Sequence, residues 1–166
     1  MVTLLAFPLF LLAMMLQTAI ISRVTLLNGC ADLILVILAG WALQERVKTA
    51  WQWALVGGAL FSFISRVPWF VPLVGYLATV ALARLFQRHF WQAPLLAMFA
   101  VCFFGTLAMH FLSFFSLRLI GNPLPIAASF NLIILPSVLL NLLLAIPIFF
   151  GMRDLANWLY PKVVEA

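Results

Sequence analysis

Long apolar runs alternate with short polar clusters along the whole of this chain. The runs cover residues 3–21, 26–43, 50–64, 70–86, 93–117 and 130–152. A helix rises ~1.5 Å per residue, so ~20 apolar residues cross a hydrocarbon core of ~30 Å. The last run is the clearest, since Phe130–Met152 contains no charged residue. Its prolines, Pro136 and Pro147, would break a soluble helix, but packed neighbours in a membrane can re-satisfy the freed backbone groups. The pattern predicts an all-α membrane protein, a single integral membrane domain folded as a compact bundle of about six transmembrane helices. Five crossings result if 50–64 and 70–86 form a re-entrant pair.

Composition agrees with that reading. The chain has 166 residues, 67% of them hydrophobic and 8% charged, and a mean hydropathy of +1.22. A soluble domain of this size needs far more charge to cover its surface. The formal charge is +5, but the nine Lys and Arg residues stand singly or in pairs between apolar runs. Nucleic-acid binding calls for cations clustered on one face, so no nucleic-acid partner is expected. Scattered loop cations instead orient a membrane protein, with the richer side cytoplasmic. Arg46, Lys48, Arg84, Arg88, Arg153 and Lys162 fall on one side; Arg23, Arg66 and Arg118 fall on the other. Both termini are therefore expected in the cytoplasm. The N-terminus lacks a basic leader and a small-residue cleavage site, which predicts a retained first span.

Four polar side chains inside or beside the apolar runs are candidate intramembrane contacts: Asp32, His110, Asn131 and Asn141. With the second helix starting near Cys30, Asp32 falls in its first turn, where a carboxylate complements the positive end of a helix dipole or meets a partner or ligand. His110 shares a helix face with Cys102, Thr106 and Ser113, and interhelical hydrogen bonding is the expected role. The asparagines read the same way. Small residues recur every fourth position as Ala54, Gly58 and Ser62, and again as Gly75, Thr79 and Ala83. Such stripes let helix backbones approach closely, either within the bundle or against a partner helix. Trp51 and Trp53 are expected at the membrane interface, and Cys30 and Cys102 as packing residues. With four acidic residues in the chain and no metal-spaced cluster, paired carboxylates or phosphate-cradling loop, no catalytic, cofactor or metal site is expected.

Several local phrases resemble the rod shape-determining protein MreD family of bacterial inner-membrane proteins. Ala31-Asp32-Leu33 leading to Trp41-Ala42-Leu43 is similar to the start of that family's second span, with Ala31 where a proline is common. Gly57-Gly58-Ala59-Leu60 through Val74-Gly75-Tyr76-Leu77, followed by Arg84 and Arg88, resembles its central helix pair and basic loop. Asn131-Leu132-Ile133-Ile134-Leu135-Pro136, with the Arg153–Pro161 tail, resembles its last span. Ser65-Arg66 departs from the acidic hairpin often found there. The resemblance implies a non-enzymatic inner-membrane subunit of the cell-elongation complex, with MreC as partner and links to MreB, RodA and a class B penicillin-binding protein. It also implies a six-helix fold like that of the substrate-binding subunits of energy-coupling-factor vitamin transporters, and a transporter subunit is the alternative function.

Overall fold

The stretch Leu33–Ala42 is apolar on every face, and such a helix needs cover all round. The computed structural model describes residues 2–65, 67–89, 92–121 and 129–161, and it puts this stretch at the centre of an all-helical bundle. The helices are α1 (Val2–Ala19), α2 (Leu33–Ala42), α3 (Ala50–Ser62), α4 (Phe70–His89), α5 (Pro94–Leu119) and α6 (Leu135–Leu159). A 3₁₀ turn, Ile21–Arg23, follows α1, and a π-helical turn, Phe130–Ile134, leads into α6. All ten residues of α2 are buried, and the other five helices all pack against it.

Four helical segments are long and apolar enough to cross a membrane: Leu4–Arg23, Phe70–His89, Pro94–Leu119 and Phe130–Leu159. Helices α2 and α3 have ten and thirteen residues, about 15 and 20 Å of rise, each short of a ~30 Å core. The expected second span over 26–43 is therefore corrected. Its helix starts only at Leu33, because residues 24–32 run as irregular chain with a bridge between Leu26 and Gly29. Asp32 caps the helix from an extended backbone conformation. Within this segment Gly29 and Ala31 are buried, whereas residues 24–28 and Cys30 are exposed. Arg66, Lys162 and the expected loop over 122–128 lie outside the described residues.

Helix α1 shows the two-faced pattern of a lipid-facing span. Ala6, Phe10, Ala13 and Gln17 are buried at helical spacing, whereas Leu4, Phe7, Leu11, Leu12 and Met15 are exposed. Beside Phe10, Trp41 of α2 stacks on Trp53 of α3 at 4.2 Å between ring centroids. Trp53 is thus a core residue, not the expected interfacial one; a spacing of two sends it and the exposed Trp51 to different sides of α3.

Both small-residue stripes lie in internal seams. Ala54 and Gly58 are buried and Ser62 is half-buried, while Gly75, Thr79 and Ala83 are all buried. A Cβ added at Gly58 would sit 2.9 Å from the Cα of Leu73, so α3 and α4 touch nearly backbone to backbone. A Cβ added at Gly105 of α5 would likewise lie 3.1 Å from Thr79 Oγ1 of α4. The choice left open by the sequence, packing or partner face, falls on packing for these six positions.

A methyl group at Gly58 forces two backbones apart, whereas Gly151 has open space around its Cα. Gly58→Ala is therefore expected to cost about 1–3 kcal/mol, as overpacking does, and Gly151→Ala to be neutral or mildly stabilising. Thermal unfolding of the two variants in detergent tests this; equal midpoints would contradict the close seam.

Candidate functional site

A helix that begins inside a membrane bundle exposes its first N–H groups where no water is available to them. Helix α2 poses the same demand, since Ala31 and Leu33 at its start are buried. Its first turn is reached by Asn141 of α6, which in turn binds Thr106, halfway along α5. Three donors at this end have side-chain acceptors. The Asp32 N–H donates to Asn141 Oδ1 at 2.7 Å, and the Leu33 N–H to Gln17 Oε1 at 2.9 Å. The Leu35 N–H donates to Asp32 Oδ1 at 3.0 Å, the helix cap. Gln17 Nε2 closes a small ring by donating to Ala31 O at 2.6 Å.

The same side chains are held from behind. Asn141 Nδ2 donates to Thr106 Oγ1 at 2.8 Å, and the Thr106 hydroxyl donates to Cys102 O at 2.6 Å. The Tyr76 phenol of α4 lies 3.1 Å from both carboxylate oxygens of Asp32 and donates to them. One polar knot therefore joins α1, α2, α4, α5 and α6. Gln17, Tyr76, Thr106 and Asn141 are all buried.

Proline supplies the anchor for the chain entering the knot. Pro136 has no N–H to give to Leu132 O, its partner in regular helix. The Asn28 N–H takes that carbonyl instead, at 3.0 Å. Next to it, a Cβ added at Gly29 would lie 2.6 Å from Ile133 O and 2.8 Å from Ser137 N. The glycine lets the irregular segment lie directly on the π-turn backbone.

A cavity of about 120 Å³ adjoins the knot, lined among others by Gln17, Asp32, Thr106, Asn141, Cys30 and His110. His110 is half-buried and has no hydrogen-bond partner among the described residues. It also borders an open apolar groove of about 520 Å³ between α5 and the π-turn. Asn131, exposed on that turn, stands outside the knot. Cys102 is buried, whereas Cys30 is exposed rather than packed, since it belongs to the irregular segment. Asp32 has no cationic partner among the described residues, where the one ion pair joins Arg153 and Asp154 at 3.7 Å. Its charge is met by hydrogen-bond donors and the helix end alone.

Gln17 and Tyr76 were not among the sequence candidates. The signal was present: each is a lone polar group in an apolar run, and a buried amide or phenol needs a partner.

Five of the expected cytoplasmic cations, Arg46, Lys48, Arg84, Arg88 and Arg153, lie at the other end of the bundle. Arg84 donates to Val47 O, and Gln87 Nε2 to Leu43 O at 3.1 Å, fixing the 43–49 connection to α4. Arg46 Nη1 donates to Tyr160 O at 3.1 Å, fixing it to the end of α6. Lys48, Arg88 and Arg153 are exposed around this platform. In comparisons with known proteins, no family model, curated relative or solved structure matches the chain.

Asn141→Leu orphans the Asp32 N–H and removes the partner of Thr106, and each buried unsatisfied group costs about 1–3 kcal/mol. Gln17→Leu frees Leu33 N–H and Ala31 O at the same cost per group. Asp32→Asn keeps an acceptor for Leu35 N–H and a partner for Tyr76, so its midpoint is expected near wild type. Thermal melts in detergent measure all three; an unchanged Asn141→Leu would refute the knot as a structural requirement.

Proposed function

We propose that this chain is a non-catalytic scaffold of the bacterial cytoplasmic membrane, a multi-pass protein with both termini cytoplasmic, of the MreD kind that its sequence resembles. In this reading it binds MreC and helps couple MreB filaments to RodA and a class B penicillin-binding protein during wall synthesis. The observation that carries the proposal is the built platform of cations at one end. Three separate segments are tied together there by Arg46, Arg84 and Gln87, and Lys48 and Arg88 stay exposed beside them. A rigid positive face at the cytoplasmic level suits an acidic protein partner. Because the small-residue stripes are used inside the bundle, partner helices would dock on the exposed apolar faces, such as Leu4, Leu11 and Met15 of α1.

The substrate-binding subunit of an energy-coupling-factor-type transporter is the second reading, including the six-helix fold of that class. It is motivated by the enclosed cavity with Asp32, Asn141 and Thr106. The volume weighs against it: about 120 Å³ is well under the ~300–1,000 Å³ of usual small-molecule sites.

Affinity purification of the tagged full chain from native membranes in mild detergent separates the two. The expected outcome is recovery of a single-span periplasmic protein with wall-synthesis components, reduced by Lys48→Glu with Arg88→Glu. Recovery of a transporter membrane subunit with ATPases, insensitive to those changes, would overturn the scaffold reading.

A further inference from the structure

The basic end holds a cleft of about 250 Å³ between the 43–49 connection and helices α4, α5 and α6. Arg46, Arg153, Gln87 and Asn157 give it polar walls, and Ala97 and Phe149 are among its apolar lining. It shares Pro94, Phe149 and Arg153 with a second, apolar groove of about 430 Å³, lined also by Leu95, Leu96, Phe99 and Phe150. The mixed cleft and the apolar groove therefore meet at Pro94, Phe149 and Arg153, of which Arg153 alone carries a charge. From this juxtaposition we infer a binding site for an anionic phospholipid, its phosphate between Arg46 and Arg153 and one acyl chain along the α5–α6 groove.

Arg153 is built for that seam. Its guanidinium carbon lies 4.8 Å from the centroid of the Phe150 ring, so the cation rests on an aromatic face at the mouth of the groove. Its side chain is 49% exposed, and its Nε is 3.7 Å from Asp154 Oδ1, too far for a hydrogen bond. The N–H fork thus has donors to spare. Arg46 spends one Nη1 donor on Tyr160 O and keeps the rest. Arg46 and Arg153 both line this cleft, and guanidinium groups pair with the oxygens of a phosphate.

The local field has the right sign. Glu45 lines the cleft and Asp154 stands beside Arg153, but Lys48, Arg84 and Arg88 border the adjoining cleft on the far side of Glu45 and Gln87. Cations outnumber acids at the level where anionic headgroups lie. A free anion would fill only the polar part, and the apolar groove beside it favours a ligand carrying a hydrocarbon chain.

Native mass spectrometry of the purified full chain, released from neutral detergent with phosphatidylglycerol or phosphatidylcholine added at equal concentration, tests the site. Wild type is expected to retain one phosphatidylglycerol in preference to phosphatidylcholine. Arg153→Gln should weaken that retention about tenfold, the size of one charge-assisted contact, and Arg153→Lys should restore most of it. Leu96→Trp, which fills the groove without changing charge, should weaken retention as well. Arg118→Gln, the same charge change at the opposite end of the bundle, should have no effect, and millimolar inorganic phosphate should not compete. Equal retention of the two lipids, or equal loss in Arg118→Gln and Arg153→Gln, would overturn the inference. So would displacement by inorganic phosphate together with an unaffected Leu96→Trp, the mark of an anion pocket alone.

Discussion

The first turn of α2 sets the terms for the rest of the bundle. A helix of ten residues that starts inside an apolar surround must find acceptors for N–H groups that water cannot reach, and each group left alone costs kilocalories. Gln17, Asp32 and Asn141 supply those acceptors from three different parts of the chain. Each of these side chains must then be delivered to one point, which fixes the register of α1 and α6 against α2. Thr106 and Tyr76 extend the same constraint to α5 and α4. The polar knot thereby orders a bundle whose buried core is otherwise mostly apolar and less directional.

Helix geometry around the knot follows from the same need. Pro136 leaves a carbonyl free in α6, and the incoming segment uses it through Asn28, with Gly29 allowing the contact. The π-turn before Pro136 is a local distortion of a long span, and it occurs where a second chain segment docks on that span. On the opposite side, α2 ends in a connection pinned by arginine and glutamine donors to backbone carbonyls. One short helix is thus held at both ends, by polar side chains within the bundle and by cations at its surface.

This arrangement separates two kinds of surface. The enclosed polar atoms are largely occupied with one another, and the space beside them is about 120 Å³. At the basic end, a cleft of about 250 Å³ and an apolar groove of about 430 Å³ adjoin each other at Arg153. Polar groups inside the bundle thus hold the helices together, while the cations gather at one end.

The apolar, helical character of the bundle and its long elements were legible in the chain. Apolar runs of helical length separated by single cations admit few readings other than a helical membrane bundle, and runs 70–86, 93–117 and 130–152 each overlap a long apolar helical segment. The role of Asp32 at a helix start was also legible, because a carboxylate before an apolar run is a local signal. Tertiary structure decided what periodicity cannot express. An apolar run of helical length reads the same whether lipid or protein covers it, so 26–43 looked like a span although α2 is a half-length helix wrapped by five others. Stripes such as Ala54/Gly58/Ser62 and Gly75/Thr79/Ala83 permit close approach without naming the partner, and only the fold spent them internally. The meeting of Gln17, Asp32, Tyr76, Thr106 and Asn141, residues far apart in the chain, depends on where the helices lie relative to one another, and that is set by packing rather than by any local pattern.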